Sequence, residues 1–91
     1  MSIYSPFERQ LMREEKDQLY WQKDRVWETI NGLSAEIDGL YITMRKPWVT
    51  REMRTVIYNK IQDLKEKKEY AKGMLGAIKD RIECLKTNLA L

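Results

Sequence analysis

The chain of 91 residues contains no histidine and a single cysteine, Cys84. Without histidine it lacks the commonest general base and the commonest metal ligand, and no Ser-His or Cys-His nucleophile can form. One cysteine cannot make an internal disulfide or complete a Cys/His zinc site within one chain. The composition therefore argues against an enzyme and predicts no catalytic residue, no metal, no cofactor and no small-molecule ligand.

Glycine and proline are scarce, at four and two residues, which favours long helices over disorder. No apolar run approaches the roughly 20 residues needed to cross a bilayer, so we expect no membrane partner. The opening residues 1–6 lack the basic and apolar regions of a secretory signal. We expect a cytoplasmic protein, or one delivered by a route that leaves no cleavable signal.

The net charge of +3 is modest and unevenly distributed. Residues 1–44 carry about −3, residues 45–60 about +4 and residues 61–91 about +2. The acidic side chains lie at helical intervals among lysines and arginines, as expected of solvated helix faces with i,i+3 and i,i+4 ion pairs. The charge pattern thus indicates one local basic patch on an otherwise mixed surface.

The second half of the chain repeats apolar residues at alternating intervals of four and three. This is the seam of a coiled-coil heptad, and it predicts a long helix that packs along its length against another helix. Only Lys68 interrupts the apolar series. The seam consists of Ile57, Ile61, Leu64, Lys68, Ala71, Leu75, Ile78, Ile82, Leu85 and Leu89.

The first half predicts a matching helix over about residues 7–45. Ser5, Pro6 and Glu8 form a typical helix start, with a capping serine, proline at the first position and glutamate three residues after the cap. Its seam is apolar at every heptad d position and, in its second half, at the a positions. The seam residues are Met12, Leu19, Val26, Leu33 and Leu40 at d and Ile30, Ile37 and Met44 at a, with Arg9, Lys16 and Lys23 at the earlier a positions.

Pro47 ends the first helix, and Thr50 can cap a second helix over about residues 50–89. A turn at residues 46–49 forces the helices antiparallel. The sequence therefore predicts a single all-α domain spanning residues 1–91, an antiparallel helical hairpin with arms of about 60 Å.

Centring the turn on Pro47 gives a pairing across the seam, in which Ile37 faces Ile57 and Ile30 faces Leu64. This pairing places Lys23 and Lys68 in adjacent layers, where their ammonium groups must reach water or acids. Polar seam residues of this kind often fix register or oligomeric state.

Apolar and aromatic residues also lie outside the two-helix seam, and a stripe this broad suits three or four packed helices. We expect either a homodimer of hairpins forming a four-helix bundle or a docking surface for a larger protein. The residues predicted for this protein interface are Tyr20, Trp21, Trp27, Tyr70, Met74 and Ala77.

The turn is the one surface with chemical character, because cations surround an aromatic residue beside a helix start. Such a surface can hold a phosphate, stack on a nucleic-acid base or contact an acidic protein. The alternative is that the tryptophan folds back to cap the hairpin while the charges are solvated. The residues concerned are Arg45, Lys46, Trp48, Arg51 and Arg54.

Three functions are compatible with these features. The first is a non-catalytic interaction protein, such as an adaptor, assembly factor or inhibitor of a larger protein. The second is a nucleic-acid-binding protein, or a modulator of a nucleic-acid enzyme, that uses the basic turn. The third is a secreted helical hairpin: the shape resembles the small hairpin dimers exported by type VII systems. Trp48-Val49-Thr50 lacks the glycine of their Trp-x-Gly turn, and their tail motif is absent.

Overall fold

The computed structural model describes residues 3–91 and shows two long α-helices packed along one seam. Helix α1 spans Pro6–Met44 and helix α2 spans Arg51–Ala90. No strand occurs within residues 3–91. The predicted all-α antiparallel hairpin is therefore confirmed, and the predicted helix bounds differ from the observed ones by one residue at each end.

Both helices begin at the predicted capping residues. The Ser5 hydroxyl accepts a hydrogen bond from the Glu8 amide at 3.1 Å, and the Glu8 carboxylate accepts one from the Ser5 amide at 3.3 Å. The Thr50 hydroxyl accepts from the Met53 amide at 3.1 Å. These side chains satisfy amide groups that have no partner inside the helix, and so they fix where each helix starts.

The turn between the helices occupies residues 45–50. The Lys46 amide donates to the Thr43 carbonyl at 3.0 Å, and the Val49 amide donates to the Lys46 carbonyl at 3.2 Å. Val49 is buried, whereas Trp48 beside it is exposed. No residue of the described chain has a positive φ angle, so the chain reverses direction without a left-handed residue.

The predicted pairing across the seam is wrong by one heptad. Ile37 clusters with Ile61 and Leu64, not opposite Ile57 as predicted, and Ile30 clusters with Ala71. Each α1 residue thus lies beside an α2 residue seven positions further along than expected. The reason is the path of the loop at residues 45–50, which lies against the first residues of α2. Helix α2 therefore extends past the end of α1.

Apart from Val49, Ile82 and Leu85, the buried residues form two clusters. One contains Ile30, Ala71 and Leu75, with Val26 packed on it. In the corrected pairing Lys68 lies opposite Leu33, between this cluster and a second one nearer the turn. Lys23 lies at the other end of this cluster, beyond Ala71 and Leu75. The two lysines are therefore not in adjacent layers, which corrects the second expectation about the seam. The turn-proximal cluster contains Ile37, Ile61 and Leu64, with Leu33, Leu40, Tyr41, Met44 and Ile57 packed on it.

The hairpin is a rod of 69 × 14 × 14 Å with a radius of gyration of 20.4 Å. A compact chain of this length would have a radius of gyration of about 12 Å. Its accessible surface is 6838 Å², whereas a compact monomer of 11.0 kDa would expose about 5,600 Å². A single seam therefore leaves roughly 1,200 Å² more surface in water than a compact fold of this mass.

Candidate protein-binding surface

One edge of the seam carries a row of lysines stacked on aromatic rings. The Lys86 ammonium lies 5.7 Å from the centre of the Tyr20 ring, and that of Lys79 lies 5.5 Å from the Trp27 ring. The Lys65 ammonium lies 5.4 Å from the Tyr41 ring. These distances fall within cation–π range. We call this set of residues the lysine–ring edge.

The lysine–ring edge follows from heptad spacing on both helices. Tyr20, Trp27 and Tyr41 occupy the same heptad position of α1, and Lys65, Lys79 and Lys86 occupy one heptad position of α2. In an antiparallel pair these two positions flank the same side of the seam. A single register therefore brings all three ring–lysine pairs together.

Tyr20 and Tyr41 raise the pKa of their lysines. The Tyr41 side chain, acting first as a hydrogen-bond acceptor, raises the pKa of Lys65 above its ordinary value. The pKa of Lys86 is raised by Tyr20 and then by Glu83, whose carboxylate lies 3.4 Å from the Lys86 ammonium. These contacts therefore favour the charged form of both lysines.

Tyr20 also contacts a lysine from its own helix. The Lys23 ammonium lies 5.7 Å from the centre of the Tyr20 ring. Lys23 belongs to the seam, so its half-buried stem reaches outward to this edge. The sequence predicts that the ammonium groups of the two seam lysines reach water or acids. Within the described chain, however, neither Lys23 nor Lys68 forms an ion pair.

The opposite edge of the seam carries an ion pair between the helices. The Arg81 guanidinium lies 2.9 Å from the Glu15 carboxylate, and this contact raises the pKa of Arg81. Both side chains are about half exposed, so the pair adds little stability. Glu15 and Arg81 each precede a seam residue, Lys16 and Ile82, so the pair joins the helices on the side away from the lysine–ring edge.

The residues predicted as a protein interface do not form one patch. Tyr20 and Trp27 lie on the lysine–ring edge, and Trp21 lies on the outer face of α1, 62% exposed and stacked on Arg25. Met74 shares the heptad position of Arg81 and so belongs to the opposite edge. The two remaining residues of that predicted set, both exposed and on the same side of α2 as Met74, are Tyr70 and Ala77.

The predicted basic turn surrounds an apolar groove. Trp48 is 63% exposed, and it lines the groove with Val49, Met53 and Val56. The groove has a volume of about 430 Å³. Trp48 therefore does not cap the hairpin by burial; Val49 fills that role. The four cations of the turn, all exposed, are Arg45, Lys46, Arg51 and Arg54.

Sequence reasoning missed the lysine–ring edge although its signal was present. Lysine recurs on α2 every seven residues, and three aromatic residues recur on α1 at multiples of seven. Pairing each lysine with its ring requires the correct register. After an error of one heptad the two heptad positions still face each other, but each lysine is matched with the wrong ring.

One lysine of this edge, Lys72, has no aromatic ring opposite it, and this difference allows the contribution of a ring to be tested. Ser34 takes the aromatic position opposite Lys72, which pairs instead with Glu69 at 3.3 Å. We expect Ser34→Tyr to add a cation–π contact and to stabilise the fold by about 0.5 kcal/mol. The midpoint of thermal unfolding should rise by about 2–4 °C. Ala35→Tyr, on the outer face, is the control and should lower the midpoint slightly, because tyrosine is a weaker helix former than alanine; an equal rise in both variants contradicts the pairing.

No protein-family model, curated protein or solved structure matches this chain. No helix of residues 3–91 is long and apolar enough to span a bilayer. Within the same residues, no group of three or more potential metal ligands is found.

Proposed function

We propose that this protein is a small, non-catalytic interaction protein, an adaptor, assembly factor or inhibitor that binds a larger protein through exposed aromatic side chains. The observation that carries this proposal is the exposure of large rings along the rod. Trp21, Trp27 and Tyr70 are 62%, 41% and 74% exposed. Aromatic residues are enriched at the centres of protein interfaces, where their burial supplies much of the binding energy.

The shape of the molecule supports the same proposal. The three grooves formed by its described residues are open to solvent on the surface of the rod. The amino-acid composition adds that no histidine is available for acid–base chemistry. The shape and the composition therefore favour binding of a partner at the surface over catalysis.

Self-association as a homodimer is part of this proposal, and the excess of exposed surface supports it. A four-helix bundle formed on the lysine–ring edge would bury Lys65, Lys72, Lys79 and Lys86 of both copies, which is costly. A dimer would therefore use the outer faces around Trp21 or Tyr70. Sedimentation equilibrium tests it, and a species of 11.0 kDa at every concentration contradicts it.

A second candidate function is nucleic-acid binding at the turn. It is favoured by the exposure of Trp48 among four cations, an arrangement that can stack on a base while the cations contact phosphates. Acidic Glu52 lines the same groove, which weakens the attraction for phosphate. The salt dependence separates the candidates, because phosphate contacts weaken steeply with ionic strength and aromatic docking does not.

The experiment is affinity capture of partners from an extract of the cells that express the protein. We expect the double variant Trp21→Ala, Trp27→Ala to retain at least tenfold less of the captured protein than the unchanged chain, because the two largest exposed rings of α1 are removed. Both residues lie outside the buried clusters, so circular dichroism should show an intact hairpin.

Trp48→Ala is the matched control, since it removes an equally exposed tryptophan at the turn. Capture should survive that change. If the double variant captures as much as the unchanged chain, the aromatic surface is not the binding surface. Loss only in the triple variant Arg45→Ala, Lys46→Ala, Arg51→Ala assigns binding to the turn.

A further inference from the structure

The seam of the hairpin is not equally apolar along its length. Both buried clusters lie in the half next to the turn, within residues 26–44 of α1 and residues 57–75 of α2. We call the other half, away from the turn, the open end of the rod. There α1 has no buried residue before Ile30, whereas α2 is still buried at Ile82 and Leu85. The two helices therefore contribute unequally to the packing of the open end.

Lysines in the seam of α1 cause this difference. In the corrected pairing Lys16 lies opposite Leu85, and Lys23 lies opposite Ile78. Both lysines are half-buried, so their carbon stems cover the apolar residues of α2 while their ammonium groups reach water. A lysine stem held in this way buries less apolar surface than a leucine and loses more side-chain freedom. The apolar seam residues that α1 retains at the open end, both half-buried, are Met12 and Leu19.

Polar contacts at the surface also join the helices at the open end. Glu15 and Arg81 form their ion pair on one edge, with both side chains about half exposed. On the other edge the Lys86 ammonium lies 5.7 Å from the centre of the Tyr20 ring. Water competes for contacts of this kind, so they contribute little to stability. The open end is therefore the weaker half of the hairpin.

We propose that residues 6–23 of α1 form a detachable cover over α2. The cover separates from α2 as one unit while the half next to the turn stays packed. Lys23 marks the boundary, because the seam beyond it is apolar on both helices as far as the turn, apart from Lys68. Lys68 does not create a second boundary, since a buried cluster lies on each side of it. The inference goes beyond the proposed function and does not depend on it, because it concerns the chain without a partner.

Opening of the cover does not require either helix to form afresh. The packed half keeps both helices nucleated, so each open arm is only the extension of an existing helix. An arm without a packing partner is a single helix in water, and its backbone hydrogen bonds break often. Opening also uncovers a strip of α2 that is apolar at every seam position. This strip consists of Ile78, Ile82, Leu85 and Leu89.

Hydrogen–deuterium exchange of the full chain, followed residue by residue by NMR, measures this opening. We expect the amides of residues 6–23 to exchange at least tenfold faster than those of residues 30–44. Residues 78–90 of α2 should share the faster rate, because they lose their packing in the same event. The rate should change in a step near Lys23. A steady gradient from the end of the helix, or one rate along the whole of α1, overturns the proposal.

Lys68→Leu separates opening of the cover from unfolding of the whole hairpin. The replacement strengthens only the half next to the turn, which stays packed whether the cover is closed or open. We expect exchange in residues 30–44 to slow at least fivefold while residues 6–23 keep their rate. Both chains are compared at a concentration at which they sediment as the same species. If residues 6–23 slow as much as residues 30–44, the hairpin opens as a single unit and the proposal is overturned.

The double variant Lys16→Leu, Lys23→Leu tests the cause of the opening. Two leucines opposite α2 should hold the cover closed, so exchange in residues 6–23 should slow at least tenfold. Gln18→Leu, Arg25→Leu is the matched control, because these two residues are also one heptad apart but exposed. Leucine, lysine, glutamine and arginine have similar helix propensities, so the variants differ in packing alone. Equal slowing in both double variants overturns the proposal.

Discussion

Replacing Ile61 with alanine is expected to lower the stability of the hairpin by about 3 kcal/mol. Ile61 is fully buried, and it is packed with Ile37 and Leu64 in the cluster next to the turn. Its loss removes apolar contacts and leaves a cavity between two helices that have no second layer to relax around them. A hairpin of this size has a total stability of about 5 kcal/mol, so the midpoint of thermal unfolding should fall by 15 °C or more.

The control is Ile42→Ala, the same replacement at an isoleucine that is 56% exposed on α1. It should change the stability by less than about 0.5 kcal/mol. Chemical unfolding followed by circular dichroism measures both variants at one protein concentration. Equal losses for Ile42 and Ile61 would show that the seam described here is not the core.

Replacing Lys68 with leucine is expected to stabilise the hairpin by about 1–2 kcal/mol. Lys68 lies in the seam between the two buried clusters, opposite Leu33, and has no ion pair within residues 3–91. A leucine there would join the clusters into one continuous core. The gain is larger than for most surface changes because an apolar side chain enters a half-buried position of the seam.

Lys67→Leu provides the comparison, since Lys67 is the adjacent lysine and is exposed. Its replacement should change the unfolding free energy by less than about 0.5 kcal/mol. Sedimentation of the Lys68→Leu variant tests a second consequence. Polar seam residues restrict register and assembly, so this variant should associate more readily than the unchanged chain. Unchanged stability for Lys68→Leu contradicts the placement of Lys68 in the seam.

The helices and their ends were predictable because their causes are local. Heptad spacing in α2 and the capping residues Ser5 and Thr50 act over a few neighbouring residues, and the structure confirms both caps. The seam of α1 was equally readable, since Ile30 and Ile37 lie in the buried clusters as their spacing indicates.

The register was not predictable because a heptad repeat looks the same after a shift of seven residues. Only the length and path of the turn select one pairing, and the burial of Val49 beside α2 sets that path. The spacing of Pro47 and Thr50 does not indicate how far the loop extends along α2. The residues predicted for the protein interface lie on different faces of the rod, with Trp21 on the outer face of α1 and Met74 on the edge of the seam that carries Arg81.

The backbone of the turn determines how freely the sequence at this end of the rod can vary. Residues 45–50 reverse the chain with every φ angle negative, so no glycine is needed at any of these positions. Apart from Pro47, which ends α1, Val49, which is held by packing, and Thr50, which caps α2, the end of the rod can exchange its side chains with little effect on folding. Binding preference at this end is therefore free to diversify, and a library randomised at Arg45, Lys46 and Trp48 should yield mostly folded hairpins.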